Sequence, residues 1–182
     1  MFHTGRPIIG STIQNTVNTV YAGYQASDPM IYQLTLPKDH PDGERPVEIF
    51  DKSRALRKFE KALKIMENET TVLILMDLYF SDEFSDIIAN KLPNGSYIQH
   101  HRHRQDNRGA SEFVRNQLSK SMKPSKKFLI CDWPSAAGYE STAVIFVTED
   151  KCGYSNSEIN GYATNCLRAK AKLVIYTAPR GM

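Results

Sequence analysis

Four unbroken apolar runs limit what this chain can become. Residues 71–76 (TVLILM), 127–131 (KFLIC), 142–147 (TAVIFV) and 173–177 (LVIYT) show no alternation of apolar and polar side chains. A strand with one wet face alternates, so runs without alternation belong to strands buried on both faces, as in a parallel sheet covered by helices. The segments between them carry helical spacing. Residues 53–67 give the clearest helix, with Ser53 as N-cap and Leu56, Phe59, Leu63 and Met66 along one face. Residues 81–92 form a second helix with acidic residues near its start, where the helix dipole favours them. Residues 109–122 and 155–170 give two more.

Earlier in the chain, residues 8–24 place Ile9, Ile13, Val17, Val20 and Tyr21 at helical spacing, and residues 31–36 alternate as a strand. Residues 37–46 are a turn-rich loop containing Asp-Gly, residues 47–50 a short strand, and Tyr97 and Ile98 mark another. Buried-type strands alternating with helices predict an α/β domain with a mainly parallel sheet and right-handed crossovers. Such sheets bind ligands at the carboxyl ends of their strands, which directs attention to the loops after Met76, Cys131, Val147 and Thr177.

The 182 residues suit a single domain, 1–182, large enough to bury a core without staples. With 23 basic against 20 acidic residues the chain is only mildly basic, which allows a nucleic-acid partner without arguing for one. Three cysteines, Cys131, Cys152 and Cys166, form no C-x-x-C pair, so neither a disulfide framework nor a zinc site is expected. A reducing compartment, cytoplasm or nucleus, is the natural reading. No apolar run approaches the roughly 20 residues that cross a bilayer, and no membrane partner is expected.

Chemistry concentrates after the run 127–131. There stand Asp132, Trp133, Pro134, Ser135, Ala136, Ala137, Gly138, Tyr139 and Glu140, and then the next strand. Small residues let a phosphate or nucleotide approach the main chain closely. A lone carboxylate suits ribose hydroxyls. Further on, Asn165-Cys166-Leu167-Arg168-Ala169-Lys170-Ala171-Lys172 closes the predicted helix with cations, and arginine offers phosphate a planar fork.

In this order, Ser135-Ala136-Ala137-Gly138-Tyr139-Glu140-Ser141 and Cys166-Leu167-Arg168-Ala169-Lys170-Ala171-Lys172-Leu173 resemble two adjacent motifs of superfamily 1 (UvrD/Rep-like) helicases, S-A-K-G-L-E-F and A-L-T-R-A-R-x-x-L. The match is specific over roughly residues 127–177 and follows the family's strand-and-helix order through most of the chain. It implies a three-layer RecA-like (P-loop NTPase-like) fold, the second motor domain of such an enzyme. It implies that Glu140 binds the nucleotide sugar, beside Gly138, and that Arg168 is an arginine finger on the γ-phosphate, with Lys170 at the family's second arginine. Ser135 would stand where the family's loop couples nucleotide to nucleic acid. An arginine near the start of the family's domain finds its sole counterpart in Arg6.

Ala137 replaces the family's lysine, Leu167 its threonine, and Lys170 keeps charge without the bidentate fork. No G-x-x-x-x-G-K-[ST] phosphate loop occurs in the 182 residues. ATP and magnesium are therefore expected only together with a first domain that supplies that loop, and the chain alone should not hydrolyse ATP. The alternative is a non-catalytic helicase-like domain that binds nucleic acid or protein.

The remaining features have plainer readings. The run His100-His101-Arg102-His103-Arg104, with Arg108, reads as a solvated loop, with Arg102 and Arg104 on the phosphates of a single strand as the functional alternative. No acidic or cysteine partner stands at metal-ligand spacing from it. Trp133 either stacks on a base or packs on its loop. Arg168 and Lys170 read otherwise as helix C-terminal cations. Lys120, Lys123, Lys126 and Lys127 read as a solvated helix end, and Cys131 and Cys166 as small buried residues.

Overall fold

The computed structural model describes residues 46–76, 82–101, 104–105, 107–118, 126–132, 135–136, 139, 141–149, 165–166 and 168–179. The expected helix 8–24, strand 31–36 and loop 37–46 lie outside them, as does most of the helix 155–170.

The chain runs β1 (Val47–Phe50), α1 (Phe59–Ile65), β2 (Val72–Met76), α2 (Asp82–Ala89), β3 (Tyr97–His101), β4 (Arg104–Gln105), α3 (Asn107–Leu118), β5 (Phe128–Asp132), β6 (Ser141–Glu149) and β7 (Ala169–Ala178). The strands form one sheet in the order β1-β7-β6-β2-β5-β3-β4. Six strands are parallel and the two-residue β4 pairs antiparallel with β3. The two central runs behave as the sequence requires, for every residue of β2 and of β5 is buried.

Alternate residues feed two cores. Val72, Ile74 and Met76 of β2 meet Ile130, Ile145, Val174 and Tyr176 on the first face, beneath Phe59 and Met66 from the α1 region and Phe84, Ile88 and Leu92 from the α2 region. Leu73 and Leu75 meet Leu129, Cys131, Val144, Phe146 and Ile175 on the second, beneath Phe113 of α3 and Ala136 of the β5–β6 connection. This is the three-layer α/β architecture that the alternation of elements predicts. The chain leaves β2 over the first face and β5 over the second. These neighbours therefore part at their carboxyl ends, where sheets of this kind open a crevice.

Three expectations need correction. The first helix begins at Phe59, not Ser53, and no side chain caps it. Leu56 stops an earlier start, because it is fully buried with φ 51°, a left-handed conformation that costs an L-residue about 1 kcal/mol. Tertiary burial of Leu56 overrides the helical spacing. Next, β7 begins at Ala169, so Ala169–Lys172 belong to a strand, while Asn165 and Cys166 are helical. Lys170 therefore lies in a strand and does not end a helix, while Arg168 stands in the turn after helical Asn165 and Cys166, its amide on the Asn165 carbonyl at 3.2 Å. Lastly, Lys126 and Lys127 lead into β5 with their ammonium groups on the Gly95 and Glu67 carbonyls, at 2.6 and 2.8 Å. They fasten the amino ends of the strands and do not extend a solvated helix.

Candidate functional site

The segment that carries the motif resemblance crosses from one end of the sheet to the other. Asp132 closes β5 level with Met76 of β2, which is level with Val147 of β6. Ser141 opens β6 at the opposite end, so the connection covers about 20 Å at roughly 3.3 Å per residue. Its first turn is fixed by Asp132. The Ser135 amide donates to Asp132 Oδ1 at 2.9 Å and the Ala136 amide to the Asp132 carbonyl at 3.0 Å. Short acidic side chains make such local turns readily. Ala136 then enters the second core, the Tyr139 amide donates to the Ala136 carbonyl at 2.9 Å, and Tyr139 packs half-buried against the same core.

Arg168 meets this segment at its far end. The Ser141 amide donates to the Arg168 carbonyl at 3.0 Å, and Ser141 pairs with Ala169. The Arg168 guanidinium donates from Nη1 to the Tyr139 carbonyl, a long hydrogen bond of 3.4 Å. Thus the two stretches that resemble helicase motifs, some thirty residues apart in sequence, are joined by both main chain and side chain. Among the described residues no carboxylate consumes the Arg168 guanidinium.

Burial dominates the electrostatics of its neighbours. Burial, and then the Asp132 carboxylate, push the Cys131 thiol far above its usual range, only partly offset by Arg168. Cys131 is thus an inert thiol, as its sequence context suggested. Burial, and then Cys131, also raise the Tyr139 phenol. Across the sheet, His100 of β3 pairs with Cys131 and directs its ring edge-on to Tyr139, with centroids 5.7 Å apart and planes at 87°. His100 is buried and its Nδ1 has no hydrogen-bond partner, as is true of Ser141 Oγ.

Ser135 is half-buried at the carboxyl end of β5, Arg168 half-buried at the foot of β7, and Lys170 exposed on β7. Arg104 lies in β4, where it pairs antiparallel with His101, so these two residues of the basic run are strand. His100, the first of that run, is inside the protein. Glu140, Gly138, Trp133, Arg102 and Arg6 fall outside the described residues. The structure also corrects the emphasis on carboxyl ends. Ser135 sits at one, but Arg168 stands at an amino end, because it directly precedes β7.

Asp51 escaped the sequence reading, as did the contact of His100 with Tyr139. Asp51, at the end of β1, accepts hydrogen bonds from the Ser53 amide at 2.8 Å, the Lys58 amide at 2.7 Å and the Tyr176 hydroxyl. An Asp two residues before Ser, after a strand and ahead of a helix, was a readable signal for such a turn. His100 and Tyr139 gave none, since their contact joins positions far apart in sequence.

No family model matches this sequence and no curated protein matches it. Among solved structures, the chain is similar to the C-terminal domain of a possible DNA helicase from Lactobacillus plantarum WCFS1. The identity is 15%, the TM-score 0.51, and the match covers 75% of this chain and 76% of that one. The chain therefore has an α/β fold consistent with a RecA-like domain, shared with a helicase C-terminal domain. No helix among the described residues is long and apolar enough to cross a membrane.

Proposed function

We propose that this chain is the second motor domain of an ATP-dependent superfamily 1 helicase, and that it completes a nucleotide site with a first domain carrying the phosphate-binding loop. The observation that carries this reading is the junction of Arg168 with the Tyr139 carbonyl, one residue before Glu140. In that arrangement Arg168 faces the γ-phosphate and Glu140, beside Gly138, takes the ribose hydroxyls. Lys170 adds positive charge, and Arg6 is assigned to the same site by the family pattern alone. Ser135, Trp133, Arg102 and Arg104 face single-stranded DNA or RNA.

The residues present fit one side of such a site. A guanidinium with a single long hydrogen bond among the described residues keeps donors for a phosphate. The phosphate cradle and the magnesium ligands would come from the first domain. When bound, ATP supplies the phosphoryl group whose transfer drives the motor. An arginine finger stabilises the charge that develops on this group, an effect of about 10³–10⁵ in rate.

In the complete polypeptide, Arg168→Ala should lower nucleic-acid-stimulated ATP hydrolysis by about 10³ or more while leaving nucleotide binding within a few-fold. An unchanged rate would remove Arg168 from the site. The 182-residue chain alone should show no turnover, and a turnover that vanishes in Arg168→Ala would refute the division of labour proposed here.

The substitutions Ala137, Leu167 and Lys170 favour a second reading, a domain that has kept the fold and lost catalysis, serving as a nucleic-acid or protein scaffold. A complete polypeptide that lacks a phosphate-binding loop selects it. Salt-dependent binding of single strands then separates the nucleic-acid scaffold from a protein-only one.

A further inference from the structure

We propose that His100 and Tyr139 are positioning residues for Arg168: the imidazole on β3 holds the Tyr139 ring, and the Tyr139 main chain holds the guanidinium at the foot of β7. The importance of that position rests on the nucleotide-site reading above, but the positioning itself does not.

The argument begins with distance. In the sheet order β7-β6-β2-β5-β3, β3 stands four strands from β7, about 19 Å at some 4.8 Å per strand. No strand pairing links them directly. Tyr139, packed against the second core, bridges the gap. Its carbonyl receives Arg168 Nη1 at 3.4 Å, and its ring meets His100 edge-on at 5.7 Å.

A carbonyl can orient a guanidinium only if the carbonyl is itself fixed. The Tyr139 amide is tied to the Ala136 carbonyl at 2.9 Å, which sets one side of the peptide chain. The ring, held between the second core and His100, sets the other. The geometry of His100 indicates that it acts here through its shape. It is buried, its Nδ1 has no partner, and its register partner is the inert Cys131. A buried nitrogen without a partner opposes folding, so the contact with Tyr139 is what the position offers. His100 also opens the basic run that continues through the β3–β4 hairpin. The same chain of contacts therefore runs from that hairpin to Arg168.

The test reads Arg168 directly in the 182-residue chain, without nucleotide, so it is independent of whether the nucleotide-site reading holds. The side-chain Nε–Hε signal of Arg168 is assigned by its loss in Arg168→Lys. In His100→Ala and in Tyr139→Ala it should move towards the position of an arginine in the unfolded chain. In Tyr139→Phe it should stay, because ring and carbonyl remain. His100→Phe should restore the native position that His100→Ala loses. The Arg54 signal, from a guanidinium stacked 5.7 Å over Phe84 on the opposite face, should not move in any of them. An Arg168 signal unmoved by His100→Ala, moved equally by Tyr139→Phe, or accompanied by an equal shift of Arg54 would overturn the proposal. If Tyr139→Ala fails to fold, the His100→Ala and His100→Phe pair decides the matter alone.

Discussion

The two faces of the sheet treat their polar groups in opposite ways. On the first face, Asp51 is buried and fully used, accepting from two main-chain amides and the Tyr176 hydroxyl, while Tyr176 packs edge-on against Phe59 at 5.4 Å. On the second face lies His100, whose buried Nδ1 has no hydrogen-bond partner among the described residues. Its ring lies edge-on to Tyr139 of the β5–β6 connection that meets Arg168. A satisfied buried network rigidifies a fold, whereas an unsatisfied buried group costs stability. Proteins tolerate that cost mainly where function requires it. The comparison marks the first face as the one with a satisfied polar hub and the second as the one that leaves a buried nitrogen without a partner.

If so, removing polar groups should have opposite signs on the two faces. The largest effect is expected for Asp51→Ala, which strands the Tyr176 hydroxyl and two amides. Stability should fall by about 3 kcal/mol, read from the urea midpoint at constant slope. A loss below about 1 kcal/mol would end the claim that this face is the structural one.

Tyr176→Phe keeps the ring and removes one hydrogen bond to a charged acceptor, so about 1.5–2 kcal/mol should be lost in the same titration.

Acid should single out the same hub. Burial raises the Asp51 pKa, but the Lys58 amide, Tyr176 and the Ser53 amide more than reverse it, leaving it below the usual carboxylate value. A carboxylate depressed in the folded state contributes stability that is full above its unfolded pKa, near 4, and is lost as pH falls through the folded value. The wild-type chain should therefore lose more stability below about pH 4 than Asp51→Asn does. Parallel acid profiles would show that the hub does not titrate as described.

The smallest effects belong to the two buried atoms without partners among the described residues. His100→Phe should be neutral or stabilising by up to about 1 kcal/mol, because it deletes an unsatisfied nitrogen and keeps a ring against Tyr139. Ser141→Ala should likewise change stability by less than about 1 kcal/mol, in the stabilising direction. Thermal melts that place either variant 2 kcal/mol or more below wild type would mean these atoms are satisfied in solution and the contrast between faces is false.

The candidate site was only partly readable before the structure. The small-residue loop and the cations after it stood out as a motif pair, and the structure joins them through Arg168 and Tyr139. The rule of carboxyl ends drew attention away from the foot of β6 and β7, where the connection from β5 descends to meet Arg168. The basic run at His100 likewise read as solvated charge. Strand pairing with β5 is what buries its first residue, and pairing with β4 makes strand of His101 and Arg104.

Sequence alone determined the layering. Runs such as VLILM and FLICD have no polar side chain with which to face water until their ends, and burial on both sides is the one environment that satisfies them. Tertiary structure alone decided the strand order, the late start of α1 behind Leu56, and the meeting of His100, Tyr139 and Arg168. Each of these depends on contacts between residues distant in the chain. Local spacing can specify which face a side chain takes, but not which strand will lie beside it.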